Sequence, residues 1–240
     1  MKTITKLVAM LVVLFSTTSC FIDGFTGIRG NQNVISENRT IDSKFNEIDI
    51  QQGIKLYLTQ GNSNSLKVEA DENIMELLVT EVKNNQLKIY FKKNVYKAKA
   101  RNVYLTTNSI SSIDASSGSY VKSENTWQST NLQIHTSSGS SVRFHVNADE
   151  ISCSASSGSN IRLYGKTNNL SVKASSGSSI DADELNSVDT YAKASSGASI
   201  NVNVSGKLTA KASSGGDVDY EGNPTTIDKD TSSGGSVNQS

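Results

Sequence analysis

The chain has 240 residues, 35% hydrophobic and 19% charged, and its 23 basic and 23 acidic side chains leave no formal net charge. That length permits one domain with a lean core. The balanced charge gives no argument for a nucleic-acid binder, where a basic face would be expected, and no reason to expect attraction to an anionic membrane surface. A single proline with abundant glycine, serine and asparagine would suit disorder, but aliphatic residues recur too regularly for that.

The chain opens MKTITKLVAMLVVLFSTTSC. Lys2 and Lys6 form a basic start, and the apolar run Leu7 to Phe15 is too short to span a bilayer as a mature helix. Small residues Ser16 to Ser19 then lead to Cys20. This pattern reads as an export leader and is excluded from the fold. Its last residues resemble a bacterial lipobox. The resemblance implies cleavage before Cys20 and lipidation of Cys20, giving a membrane anchor in which each buried CH2 contributes about 0.8 kcal/mol. Phe21 stands where an aspartate would imply inner-membrane retention, so the sorting scheme common to bacterial lipoproteins implies the outer membrane, on either face. The expected division is a signal peptide over 1–19, a lipidated Cys20 with a flexible tether over 20–40, and a β domain over 41–240. With Cys20 lipidated, Cys153 is left without a partner for an intramolecular disulfide.

From residue 41 to 110, apolar and polar residues alternate. FNEIDIQQGIKLYLTQG places Ile48, Ile50, Ile54, Leu56 and Leu58 near a period of two, and SLKVEA continues it. DENIMELL suggests one short helical turn capped by Asp71. Asn84-Asn85 separates two strand-like runs and predicts a tight turn. This half either covers one end of the repetitive second half or forms its opening coils.

From Ala115 a five-residue phrase returns seven times, as ASSGS, TSSGS, ASSGS, ASSGS, ASSGA, ASSGG and TSSGG. Its central glycines, from Gly118 to Gly234, are spaced by 21, 19, 19, 20, 18 and 19 residues. Three residues after each stand Val121, Val142, Ile161, Ile180, Ile200, Val218 and Val237. Small Ala or Thr stands three before, and Ile113, Ile134, Cys153, Val172, Ala192, Ala210 and Lys229 stand five before. A period of about twenty with alternation on both sides of each SSG predicts a single-stranded parallel β-helix, all-β, with regular coils over 111–240. SSG is the corner where glycine supplies a positive φ. In this phase Ile180 faces the core, and changes at Ser178 or Asp181 are expected to be mild by comparison. The last coil, ending SVNQS, carries no obvious cover, so it either frays or meets another molecule, which makes self-association through it an expectation.

Catalytic signals are sparse. No nucleophile elbow G-x-S-x-G falls within the phrases. His135 and His145 are expected on the surface, and Cys153 fits an in-facing apolar slot. Two histidines and one cysteine in different phases make no zinc site, and no cofactor is implied. Asp217 and Asp219 are the candidate calcium ligands, although the solenoid nonapeptide G-G-x-G-x-D is absent. Tyr120 and Trp127 are candidates for stacking on a sugar; Trp127 equally suits the cover of a core corner. The outward charges read as scattered, without a coherent strip.

FNEIDIQQGIKLYLTQG, SLKVEADENIMELL, LKIYF and the ASSGS coils, in that order over about 45–219, resemble the head GIN domain family of "putative auto-transporter adhesins". The resemblance implies an exported β-helical lipoprotein and supplies no catalytic residues. The expected function is a non-enzymatic, lipid-anchored envelope module that binds a glycan or a protein. The alternatives are a structural envelope component without external ligand and, less favoured, a carbohydrate-active enzyme.

Overall fold

The computed structural model describes residues 27–41 and 43–240. The leader and Cys20 lie outside the described residues. The fold is an all-β solenoid of parallel stacked coils, as the repeat predicts.

Each corner is a two-residue turn. In the Gly158 coil, Ser157 and Gly158 both have positive φ, 53° and 68°, and the Ser159 amide donates to the Ser156 carbonyl at 3.2 Å. Two consecutive left-handed residues closed by this bond are the I′ pattern. The sequence predicts positive φ at the glycine; the serine before it adopts one as well, at all seven phrases, from Ser117 to Ser233. What holds a non-glycine residue there is the neighbouring coil. Each corner glycine amide donates to the carbonyl of the left-handed serine one coil further on, at 2.9–3.2 Å from Gly53 to Gly215.

Gly53 belongs to this series. Gln52 and Gly53 have φ of 62° and 68°, and the Gly53 amide donates to the Ser117 carbonyl at 2.9 Å. The stretch Glu47–Ile50 and Lys55–Gln60 is therefore an eighth coil, paired in parallel with Ser112–Ala115 and Tyr120–Ser123. Beyond it lies one further layer, Gln86–Phe91 and Arg101–Thr107, again parallel. The first half thus does both of the things its alternation allows. It opens the solenoid and then covers it. The cover is antiparallel: Leu78–Lys83 turns through Asn84 and Asn85, both of positive φ, onto Gln86–Phe91, while Ser65–Asp71 pairs with Arg101–Thr107 and Val34–Arg39 with Ser65–Asp71.

Two expectations fail in this cover. Residues 28–39 are not a tether: Ile28–Arg29 pairs with Val95–Tyr96, and Val34–Arg39 is a strand of the sheet. Their glycines permit close packing rather than freedom; a Cβ on Gly30 would lie 2.3 Å from the Asp71 carboxylate. Asp71 does precede a 3-10 helix, Glu72–Leu77, but makes no side-chain cap. It is fully buried and accepts backbone amides of Gln32, Lys99 and Ala100 at 2.8–3.0 Å, clasping two loops. Three amide donors offset the burial of a carboxylate.

The core is a set of in-facing ladders. One runs in register from Val103 and Leu56 through Val121, Val142, Ile161, Ile180 and Ile200 to Val218, all fully buried. Cys153 lies between Ile134 and Val172 in another, and burial pushes its thiol up to about 12. The fifth phrase position also faces in. Ser178 is 2% exposed, and its hydroxyl donates to the Ala155 and Ser175 carbonyls at 2.8 and 2.7 Å. Both carbonyls also accept backbone amides, of Ser175 at 3.0 Å and of Ser178 at 3.3 Å, and Ala198 and Gly216 fill the same corner place in later coils without a hydroxyl.

The last coil, Thr226–Ser232 and Ser236–Gln239, pairs with its predecessor and is otherwise exposed, with Ile227 at 42%. Lys229 occupies the core slot that holds Ala210 one coil earlier. Its ammonium lies 4.7 Å from the Tyr220 ring centroid and donates to the Val237 carbonyl at 3.3 Å. An inward charge on an edge strand opposes pairing with another chain. The coil that shows no apolar cover in the sequence thus carries a charged one.

This geometry makes stability testable at two kinds of position. Ile180→Asp places an unpaired charge in the ladder and is expected to cost more than about 4 kcal/mol; a wild-type melting curve would contradict the phase. Gly158→Ala meets no atom within 4 Å and should cost only the left-handed backbone, about 1–2 kcal/mol. Gly216→Ala should cost more, since its Cβ would lie 2.6 Å from the Ala194 carbonyl carbon. Urea unfolding of both variants tests that order, and a loss in Gly216→Ala no larger than that in Gly158→Ala would show that the chain makes room for the Cβ at little cost.

Candidate functional site

Parallel stacking in register turns residues eighteen to twenty-one apart in the repeat into neighbours roughly 4.8 Å apart. Outward side chains therefore form rows along the rod, and the charges that read as scattered become ordered. The correction has a simple cause: a row takes one residue from each coil, so no local window of sequence displays it.

On the face that comes after the corners, Tyr104 and Tyr57 stack at 5.0 Å, and the row continues through Lys122, Arg143, Arg162, Asp181 and Asn201 to Asp219. Beside it His145 stacks on Tyr164 at 4.3 Å, with the Arg143 guanidinium 5.7 Å from the Tyr164 ring. These cations are largely matched within the protein. Arg162 meets Asp181 at 2.5 Å, and Lys122 meets Glu124 at 3.1 Å. Burial, then the neighbouring Asp183, hold the Asp181 carboxyl above its ordinary range, against the pull of Arg162.

The face that precedes the corners carries the row Asp49, Asp114, His135, Ser154, Lys173, Lys193, Lys211 and Asp230. His135 Nδ1 shares a 2.7 Å hydrogen bond with the Ser154 hydroxyl, and Asp114 lies across the other strand. Acid, imidazole and hydroxyl thus stand in line, on three successive coils. The backbone around Ser154 is committed to the ladders on both sides, and the Ser156 amide bonds the Thr136 carbonyl, so the backbone next to the hydroxyl offers an oxyanion no free amide. Burial foremost, with Asp49 and Glu47 adding to it, raises the Asp114 carboxyl, while the nearby His135 opposes the shift.

A third surface is the bend opposite the SSG corners. It forms an open polar groove of about 770 Å³ whose lining includes Asn147, Asp149, Lys166, Asn168, Asn186 and the exposed Val188. Sequence reasoning missed it, because these residues occupy the least repetitive part of each coil.

The residues singled out from the sequence do not converge. Tyr120 stands half-buried on the face after the corners, opposite Lys55 and Ser141. Trp127 is 1% exposed and packs on Phe144 at 5.7 Å, so it covers a core corner and offers no ring to a sugar. Strand alternation restarts after the Glu124–Thr126 segment, which turns the indole inward. Its Nε1 has no hydrogen-bond partner among the described residues. Asp217 accepts the Ser236 hydroxyl, and Asp219 accepts Asn238 at 3.4 Å. Among the described residues no three His, Cys, Asp or Glu side chains converge on one point, and the two aspartates form no calcium cage.

Asp114 gives a pH test. A carboxyl raised in the folded state makes folding favour its protonated form, so its contribution is full below the unfolded value and is lost as pH rises through the folded one. Asp114→Asn should therefore match the wild type in acid and be as stable or more stable at neutral pH. Melting curves across that range check this, and a variant that loses stability only at neutral pH would contradict it.

The family model described as "Putative auto-transporter adhesin, head GIN domain" matches residues 44–224. No curated protein matches the chain. Among solved structures, a "putative adhesin" from Bacteroides fragilis is 20% identical and superposes with a TM-score of 0.82, covering 89% of this chain and 100% of that one. A "putative adhesin" from Parabacteroides merdae has 19% identity and a TM-score of 0.74, over 89% and 98%. A "putative lipid binding protein" from Parabacteroides distasonis has 20% identity and a TM-score of 0.71, over 89% and 99%. At these identities the structures establish the shared fold alone. By the family match over 44–224, the chain belongs to the head GIN domain family, described as putative auto-transporter adhesins.

Proposed function

We propose that this protein is an exported, lipid-anchored envelope solenoid that binds a glycan or protein ligand through its flat faces and performs no catalysis. The observation that carries this reading is the in-register outward rows. They present the same chemistry at a repeat of about 4.8 Å over several coils, which suits a ligand that offers many weak contacts. Family membership supports a place at the cell envelope. The Asp114–His135–Ser154 line has no free backbone amide next to its hydroxyl to serve acyl transfer, which weighs against an enzyme. Lys229 weighs against a purely structural role through stacked terminal coils.

The test is protease shaving of intact cells, with lysed cells as the control, in wild type and Cys20→Ala. Loss of signal from intact wild-type cells, and release of the variant from the membrane fraction, is the expected outcome. Protection until lysis would remove adhesion to external partners, and an unchanged membrane association of Cys20→Ala would remove the lipid anchor.

A further inference from the structure

The lysine row differs from every other charged row on the rod. Lys173, Lys193 and Lys211 stand directly opposite one another on three adjacent strands. Like charges placed opposite across strands destabilise a sheet. Lys211 is relieved by Asp230 at 3.6 Å, but among the described residues Lys173 and Lys193 have no carboxylate within ion-pair distance, and both are exposed. On the other face the cations have their own partners, in Asp181, Glu124 and Tyr164.

The neighbourhood of these two ammoniums is that of a binding groove. A cleft of about 260 Å³ runs between them and the corner serines Ser156, Ser175 and Ser195. Those serines are half-buried, and their hydroxyls make no hydrogen bond among the described residues, in contrast to the in-facing Ser178 hydroxyl. Two residues before Lys193, Tyr191 stands on the same strand face, roughly 7 Å along it. It is half-buried and lines a second cleft of about 270 Å³ with Ser171 and Thr209, a cleft that also takes in Glu150, Asp189 and Lys207. Unneutralised ammoniums, free hydroxyls and one aromatic ring on a flat strip are the groups that recognise a charged sugar: cations for its anionic group, hydroxyls for its polar edge, the ring for its apolar face.

We propose that this strip binds an acidic polysaccharide, with Lys173 and Lys193 holding carboxylate or sulfate groups of successive sugar units and Tyr191 stacking on one ring. The inference rests on the reading of the protein as a binding module and names the face and the ligand class. A polymer fits better than a planar anionic surface because carboxylates flank the lysines on both sides, at Asp114 and Asp49 on one, before Lys88, and at Asp230 on the other. A membrane or a stiff duplex laid along the rod would meet those carboxylates; a flexible chain crossing three coils avoids them.

The experiment measures binding of the purified protein to polygalacturonate, which is carboxylated only, and to chondroitin sulfate, which carries both carboxylate and sulfate. Neutral dextran, phosphatidylcholine vesicles carrying phosphatidylglycerol, and duplex DNA serve as comparisons. Binding to at least one acidic polysaccharide in clear preference to the comparisons is expected. In Lys173→Gln/Lys193→Gln it should weaken about tenfold or more, a loss of roughly one charge-assisted contact. The same variant should melt no lower than wild type, since it removes a repulsion. Asp230→Asn, which frees Lys211, should tighten binding. Absence of binding to both acidic polymers, binding unchanged in the double variant, or equal binding to dextran, vesicles or DNA would each overturn the proposal. Those failures are separable from failure of the wider reading: ligand capture through the tyrosine face would leave a binding module standing without this site, and polysaccharide binding by a protein protected on intact cells would leave the site standing without adhesion.

Discussion

The hydrogen bond from each corner glycine amide to the left-handed serine carbonyl of the next coil is the constraint on which the rest of the molecule depends. It ties the turning point of one coil to that of its neighbour. Once the turning points are aligned, the strands on both sides must pair in register. Register in turn decides which residues face in, since a slip of one would exchange the two sets. The small side chains of the phrase answer to the same constraint. The second serine must tolerate a positive φ, the glycine must adopt one, and the fifth residue points into a corner where the seven phrase coils carry Ser, Ala or Gly, while Ile54 fills the same place in the opening coil.

Alignment multiplies whatever each coil contributes. In the interior it multiplies burial, and a ladder of β-branched residues gains roughly 1.5–3 kcal/mol for each large side chain removed from water. On the surface it multiplies charge, favourably where Arg162 faces Asp181 and unfavourably where Lys173 faces Lys193. A solenoid cannot dilute a like-charged row by rearranging side chains over a curved surface. Such a row persists as a fixed feature of the face, and chemistry at the surface of this fold is chemistry of rows.

The interior is readable because its signal is local. Val121 to Val237 keep their offset from the corner glycines, and Cys153 shares its slot with Ile134 and Val172. What escapes sequence reasoning is nonlocal or lacks its usual marker. The left-handed serines are hidden because that conformation is ordinarily signalled by glycine or asparagine, as it is at Asn84 and Asn85. The opening coil is hidden because QQG replaces SSG at residues 51–53 and the cover is inserted before the next corner at Gly118. Asp71 reads as a helix cap from its neighbours and is claimed instead by amides from residues 32, 99 and 100. The candidate site is illegible for the same reason as the outward rows: its lysines are twenty and eighteen residues apart and mark no motif.

One ladder tapers along the rod. Five residues before the corner the side chain passes from Ile113 and Ile134 through Cys153 and Val172 to Ala192, Ala210 and finally Lys229. Less apolar surface in that column joins each coil to the next as the distance from the covered end grows, and in a stack whose units touch only their neighbours such a gradient orders the sequence of opening. Opening from the exposed end is therefore expected to proceed coil by coil, with the covered end the last to unfold.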